Sequence, residues 1–530
     1  MSSDPEKKSR LSHPAWIVVL AGIPLVASLY GGQLFYDDAY ITFRYAANIA
    51  SGKGFVFNQE PVLGTTAPFY CLLLALAGYL GFSITTAAFA VGVLCGALAP
   101  VLVFRLGKVT GKEFAGLVGG LFLCFFPRWW LNANTGMETT LAGCLTVAVM
   151  ILHLRGKGLA AGVMSGLLVL TRPDAAFLPL LVFIHLLWTD RKRTLTFAAG
   201  GIVVIAPWLV YSFITFGTPV PHSLAAKGLI HAYPAFLALD HYLDWFLSMS
   251  QPMGMAIFSA MWVLGAATIL RSFRHAFILV AWPVVFIIGL SFTNVGPFPW
   301  YQIPAVPLFM FVAAYGIHAV YQGRGLAGRI PARYRRAACG VLAGTMIFLQ
   351  LFEVAPLLAS RQELDGLRQK EQTLKQMAKR IDERVRQRSL DPKEVKVLVG
   401  EVGVLGYELP DYRIIDSSGI NSPDIYRLRK RDWERMKKDH PGYGWEEKWG
   451  GSIKWVRKTI RKYEPDFIAS NLEYLHLRTL LDDPGFRKRY RLVEKWPFQE
   501  QEKQKVMVLL SRKSPERETN SGSESRESLK

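Results

Sequence analysis

The feature that most constrains this chain is a series of apolar runs, recurring through its first two thirds, most of them long enough to cross a bilayer. Inside hydrocarbon a backbone has no water to bond, so each run must satisfy its own N–H and C=O groups, which a helix does within one segment. Candidate spans cover 15–34, 84–105, 113–131, 138–154, 158–172, 175–189, 195–215, 253–270, 276–292, 304–321 and 337–357. The expected fold is a polytopic α-helical membrane protein of about eleven spans followed by a C-terminal external α/β domain. A hydrophobic content of 51% and a mean hydropathy of +0.22 over 530 residues exclude an ordinary soluble globule.

The run from Ala67 to Phe82 is also apolar, but it is short and carries Pro68, Tyr70 and Gly78. The positive-inside rule decides how it is counted. If it crossed, RLGKVTGK, HLRGKG, TDRKR, RSFR and GRGLAGRIPARYRR would lie outside while Lys7, Lys8 and Arg10 stayed inside. As an interfacial or re-entrant segment it leaves 18 Lys and Arg on the cytoplasmic side, against Arg44, Lys53, Arg128, Arg172 and Lys227 outside. The net charge of +20 is then a consequence of topology, not a sign of nucleic-acid binding. The N-terminus resembles a signal-peptide n-region without a small-residue cleavage site, so residues 15–34 are expected to be an uncleaved first span.

The segments expected are a membrane module over 1–358 with its first external loop at 35–83, an external domain over 359–513, and a disordered tail over 514–530. In the external domain, 360–389 reads as an amphipathic helix. KVLVGE, YRIIDS, DFIAS, YRLVEK and VMVLLSR read as strands, with helical stretches at 453–463 and 474–490. All five cysteines lie in or beside apolar segments and none in the polar C-terminal region, so no disulfide framework or zinc site follows from them. No nucleotide fingerprint stands between a strand and a helix.

The topology collects FYDDAYITFRYA, WWLNANTGMET, LTRPD, FGTPVPHSLAAK and NVGPFPWYQIP on the external face. Asp37 and Asp38 follow the first span directly. One carboxylate is explained as a cap for a helix starting near Ala39, but two at a membrane boundary, with Tyr40, Arg44 and Tyr45 at helical spacing, point to a site. Thr135 to Glu138 reads as a capping box opening the fourth span. Asp174 after Pro173 suits the first turn of the next span, whereas Arg172 presents a planar donor fork suited to phosphate. His222 and Lys227 share a Pro-rich external loop, where a histidine is usually solvated and a lysine is a candidate phosphate ligand. Trp300 and Tyr301 suit either membrane anchoring or stacking on a sugar.

DDAYITFRYAANIASGKGFVFN, followed by GTTAPFY, resembles the first external loop of the GT-C glycosyltransferases. Within them it is most similar to bacterial relatives of the mycobacterial terminal arabinofuranosyltransferase. The resemblance is strongest at 35–70, looser at 129–139, 170–174 and 216–227, and architectural to about 360. It implies a multi-pass enzyme of the bacterial inner membrane with a cytoplasmic N-terminus and a periplasmic or external C-terminal domain. It implies transfer of a sugar from a polyprenyl-phosphate donor to a glycan, lipid or protein acceptor, with one Asp as base. Matching the family's first Asp favours Asp37, with Asp38 orienting a neighbour or binding a metal; a divalent metal is the one cofactor left open. A polyprenyl phosphate leaves as a stabilised anion, so one carboxylate and cations for the phosphate suffice for inverting displacement. Arg44, Glu138, Arg172, Asp174, His222, Lys227, Trp300 and Tyr301 complete the expected site, Glu138 as the second external acidic residue common in such enzymes. The competing class is a transporter or flippase of lipid-linked sugars, for which ionisable pairs or broken helices at mid-membrane would speak.

Overall fold

The computed structural model describes residues 14–231, 234–247, 252–272, 276–293, 298–359, 361–440, 452–500 and 503–513. The basic N-tail and the tail expected at 514–530 lie outside them.

Every expected apolar segment carries a helix. In chain order the membrane part is built from α1 (Ala15–Gly31), α2 (Asp37–Ala50), α3 (Pro68–Tyr79), α4 (Ile84–Val109), α5 (Glu113–Phe125), α6 (Pro127–Ala133), α7 (Thr139–Leu154), α8 (Gly158–Thr171), α9 (Phe177–Thr189) and α10 (Arg191–Phe216). It continues with α11 (His222–His231), α12 (Ala235–Leu247), α13 (Pro252–Ser272), α14 (Ile278–Ser291), α15 (Val306–Tyr321) and α16 (Ala332–Ala359). Among the described residues, four helices, at Ile84–Val109, Arg191–Phe216, Gly254–Arg271 and Ile303–Tyr321, are long and apolar enough to cross a bilayer alone. Helices α5 and α6 make a fifth if the pair, bent by 65°, is one span; Pro127, at the first position of α6, marks the bend. Among the remaining apolar helices, α3 has 12 residues and a length of about 18 Å, too short to cross.

Lipid supplies no hydrophobic drive between helices, so close backbone approach through small residues does the joining. A Cβ on Gly265 of α13 would lie 1.9 Å from the Val312 carbonyl oxygen of α15, and one on Gly162 of α8 would lie 2.0 Å from the Phe197 carbonyl oxygen of α10. Ile202, Val203, Phe213 and Ile214 of α10 and Trp188 of α9 stay exposed, as lipid-facing side chains do.

The C-terminal part begins with α17 (Arg361–Gln387), the expected amphipathic helix. It leads into β1 (Lys396–Val399), α18 (Gly403–Glu408), β2 (Arg413–Asp416), α19 (Pro423–Asp439), β3 (Phe467–Asn471), β4 (Tyr490–Glu500) and β5 (Lys503–Arg512). The five strands form one sheet in the order β2-β1-β3-β5-β4, with the first three parallel and the last two antiparallel. Strand β4 runs further than expected, through Trp496 and Phe498 to Glu500. The helical stretch expected at 474–490 is broken: Asp483 caps a new helix whose first residue is Pro484, and Tyr490 already begins β4.

One buried cluster joins the segment from 35 to 83 to this domain. Phe35, Tyr40, Phe43, Phe57 and Tyr70 pack in it with Met377, Val397, Leu405 and Leu409. The sheet therefore sits on the loop that carries the acidic pair.

Candidate active site

The pair opens α2, but neither carboxylate caps it. The cap position is Tyr36, and Asp37 and Asp38 occupy the first turn, where they complement the helix dipole. Side chains one residue apart on a helix diverge by about 100°, and the two acids point at different partners. Asp37 accepts hydrogen bonds from the Gly403 N–H at Oδ2 (2.9 Å) and the Val404 N–H at Oδ1 (2.8 Å), at the start of α18. Burial pushes its carboxyl up to about 7. Glu401 adds to the shift, while the Val404 N–H, Lys370 and the Gly403 N–H oppose it. Asp38 instead pairs through Oδ2 with Lys227 Nζ at 2.9 Å.

Lys227 comes from α11, and burial alone would lower its pKa. Asp38 outweighs that, with help from Tyr301 and Glu138, and holds the ammonium charged. Glu138 and Lys227 thus interact, which ties the pair to a second group. Arg172 donates from Nη1 to Glu138 Oε1 at 2.9 Å, and from Nε and Nη2 to the two oxygens of Asp174 at 3.0 and 2.5 Å. Its guanidinium lies over the Tyr301 ring, 5.3 Å from the centroid. Burial raises Glu138 despite Arg172, and it also raises the Tyr301 phenol.

The capping box expected at 135–138 does not form. Helix α7 begins at Thr139 with no side-chain cap, the Thr135 hydroxyl donates to the Asn132 carbonyl, and Glu138 is spent on Arg172. Asp174 does stand in the first turn after Pro173, as expected, while its carboxylate grips the arginine. Trp300 stacks on Phe298 with centroids 4.6 Å apart and lies 4.9 Å from the Tyr36 ring, next to the acidic pair.

The ten expected residues therefore divide. Asp38, Glu138, Arg172, Asp174, Lys227 and Tyr301 form one charged cluster, with Trp300 at its side beside Tyr36. Asp37, Arg44 and His222 meet the C-terminal domain instead. Arg44 is buried and donates from Nε to the Phe57 carbonyl (2.9 Å) and from Nη2 to the Pro410 carbonyl (2.7 Å). The His222 ring packs edge-on against Tyr426, and burial lowers its pKa although the nearby Gly419 backbone and Asp416 act to raise it. Tyr40 and Tyr45 add bonds to Glu371 (2.6 Å) and Asn421 (3.1 Å).

Sequence reasoning missed Gly403, Val404 and Glu401 as partners of Asp37. The available signal was the glycine-rich GEVGVLG directly after the KVLV strand: a Cβ on Gly403 would lie 1.7 Å from the Asp37 carbonyl oxygen, so only glycine fits. Among the described residues, no three His, Cys, Asp or Glu side chains are grouped to hold a metal ion. The cluster's three carboxylates are bound to Arg172 or Lys227.

Comparison of the whole chain with solved structures decides the fold. ArnT from Cupriavidus metallidurans, bound to undecaprenyl phosphate, matches with a TM-score of 0.53 at 15% identity, covering 94% of this chain and 98% of that one. The Archaeoglobus fulgidus oligosaccharyltransferase, crystallised with Zn and sulfate, matches with a TM-score of 0.56 at 14% identity, covering 90% and 71%. The archaeal oligosaccharyltransferase AglB from the same organism, in complex with an inhibitory peptide and a dolichol-phosphate, gives 0.53 at 13% identity, covering 91% and 73%. The chain has the GT-C fold. It is a multi-pass membrane architecture in which the small C-terminal sheet belongs to the matched region. Residues 362–513 match a family model described as a domain of unknown function (DUF8728). No curated relative matches the chain.

Proposed function

We propose that this chain is a membrane glycosyltransferase that takes a sugar from a polyprenyl-phosphate donor and passes it, with inversion, to a glycan, lipid or protein acceptor. The observation that carries the reading is the Asp38–Lys227 ion pair beside the Glu138–Arg172–Asp174 network. It stands in a fold shared with ArnT bound to undecaprenyl phosphate and AglB bound to a dolichol-phosphate. The sequence of the first loop favours bacterial relatives of the mycobacterial terminal arabinofuranosyltransferase. The same reading assigns the enzyme to the bacterial inner membrane, with the cluster and the sheet on the external side.

Of the two cations, Lys227 is the one free to change partners. Its side chain is 19% exposed and engages one carboxylate, whereas that of Arg172 is 6% exposed and bound to two. When the donor phosphate arrives, Lys227 turns to it and releases Asp38. The released carboxylate takes the proton of the acceptor hydroxyl as the acceptor oxygen attacks the anomeric carbon, and the polyprenyl phosphate departs from the opposite face with the bonding electrons. A phosphate leaving group needs no general acid, so one base and one mobile cation complete the step. Arg172 keeps Glu138 and Asp174 in place behind that exchange. Trp300 and Tyr36 supply an aromatic wall for the sugar. Asp37, expected as the base, has both oxygens engaged by N–H groups of the external domain, and it acts by holding that domain over the site.

The test uses purified full-length protein in proteoliposomes with a panel of radiolabelled polyprenyl-phosphate pentoses and hexoses and solubilised envelope glycans as acceptors. The reading expects label to pass from one donor class to acceptor with inverted anomeric configuration by NMR. Equilibration of donor across the bilayer with no transfer would replace it with the flippase reading.

A further inference from the structure

Three arginines of α17 and its end, Arg380, Arg384 and Arg388, recur every four residues and so share one face. That face meets β4, the edge strand of the sheet. Arg380 Nε stands 3.0 Å from Glu494 Oε2 on β4, and Arg388 Nη2 donates to Ser511 Oγ at 3.1 Å. Ser511 is the register partner of Arg491, so a fourth arginine joins the same seam. Glu383 and Glu494 both pair with Arg380. Among the described residues, Arg384, Arg388 and Arg491 have no carboxylate within ion-pair distance, and Arg384 Nε is buried with no hydrogen-bond partner. Burial and then the neighbouring arginines lower both Arg384 and Arg388: Arg380, Arg491 and Arg388 act on the first and Arg491 on the second, with Glu494 and Asp466 opposing in turn without reversing the shift. A fold gains nothing from crowding like charges on a half-buried seam; a ligand that brings the missing negative charge does.

We propose that this seam binds an anionic stretch of the acceptor, a saccharide chain bearing carboxylate or phosphate groups at regular intervals. The spacing argues for a chain over a compact anion. Successive guanidiniums advance about 6 Å along the helix, so a single phosphate reaches one or two of them, while a chain with one charge per unit meets all. The position argues for the acceptor. Arg368, near the start of the same helix, touches the end of α1 through the Gly31 carbonyl, and Tyr40 of the catalytic loop bonds Glu371 on the next turn. The seam thus continues, along one rigid helix, the element that lies over the site. Planar guanidiniums pair with carboxylates and phosphates in two-point fashion, which supplies affinity without reading the neutral part of the sugar.

The acceptor assignment rests on the transferase reading; the anion site does not, and a binding assay separates them. Full-length protein in zwitterionic nanodiscs is titrated with an oligogalacturonate of defined length, which carries one carboxylate per sugar, and with a neutral dextran oligomer, inorganic phosphate and phosphatidylglycerol vesicles. The expected result is salt-sensitive binding of the oligogalacturonate, at least tenfold tighter than either dextran or phosphate. The Arg384→Gln/Arg388→Gln variant loses at least about tenfold, as charged hydrogen bonds are worth that much. Its Tm is unchanged or raised because repulsion is relieved. Equal binding by variant and wild type, or a fall in Tm with no loss of affinity, would overturn the proposal. So would vesicle binding lost in the variant with no oligogalacturonate binding, which would make the seam a membrane contact. Because no sugar transfer is read, failure of the transfer assay leaves this result standing, and the converse also holds.

Discussion

Substituting Gly403 with alanine isolates the junction between the acidic pair and the sheet. The added Cβ would lie 1.7 Å from the Asp37 carbonyl oxygen, 2.6 Å from its carbonyl carbon and 3.0 Å from Asp37 Cγ, whereas ordinary contact begins at 3.4 Å. The start of α18 and the start of α2 therefore have to part by about 1.7 Å, because two backbones cannot yield as a flexible side chain does. That separation carries the Gly403 and Val404 N–H groups, now 2.9 and 2.8 Å from the carboxylate, beyond hydrogen-bond range. Hydrogen bonds to a charged group contribute about 1.5–3 kcal/mol each, so with both lost the junction should lose about 3–6 kcal/mol. Arg44 to Pro410, Tyr45 to Asn421 and the shared apolar cluster still hold the domain, so the protein folds. Hydrogen exchange in nanodiscs should show faster exchange at residues 403 and 404 with little change in β3 and β5, together with a lower Tm. Gly340→Ala, where a Cβ would meet nothing within 4 Å, serves as the control. Wild-type protection at 403 and 404 together with wild-type Tm would refute the reasoning.

Further outcomes follow from the same geometry. Lys227→Gln should weaken binding of undecaprenyl phosphate by about tenfold or more in native mass spectrometry, since it removes the cation that exchanges partners. Arg172→Ala leaves Glu138 and Asp174 facing each other without their cation and should cost about 3–5 kcal/mol of stability, read as a lower Tm in detergent. Asp37 ties stability to pH. Its carboxyl titrates near 7 when folded against 3.8 ordinarily, so the unfolded chain releases that proton first, and stability falls as pH rises from about 4 to about 7 and is level above. Asp37→Asn should remove that slope from Tm measured across the pH range.

Much of the fold was legible because membrane physics writes it in long apolar runs, and the external strands because β-branched residues cluster in them. Less was legible where the chain meets itself at a distance. Asp37 and Gly403 lie 366 residues apart in sequence, and no local pattern tells that a carboxylate is consumed by backbone N–H groups so far along. Helix α18 was hidden because GVLGYE is glycine-rich and reads as a turn, though its glycines are there for close approach to α2 and Phe57. The Thr135–Glu138 pattern satisfied a local rule that the fold set aside, since an arginine 34 residues on needed the glutamate more than the helix end did. The acids and bases of the site were found as a set because charge at a membrane boundary is costly. Their division into a charged cluster and a docking group required the sheet's position.

The most direct test of the central claim compares Asp38→Asn with Asp37→Asn in proteoliposomes supplied with the donor that supports transfer. The account predicts that Asp38→Asn lowers turnover by about 10²–10⁴-fold while undecaprenyl phosphate still binds, and that Asp37→Asn loosens residues 403 and 404 in hydrogen exchange. Wild-type turnover by Asp38→Asn, with turnover abolished in an Asp37→Asn protein whose external domain stays docked, would contradict it.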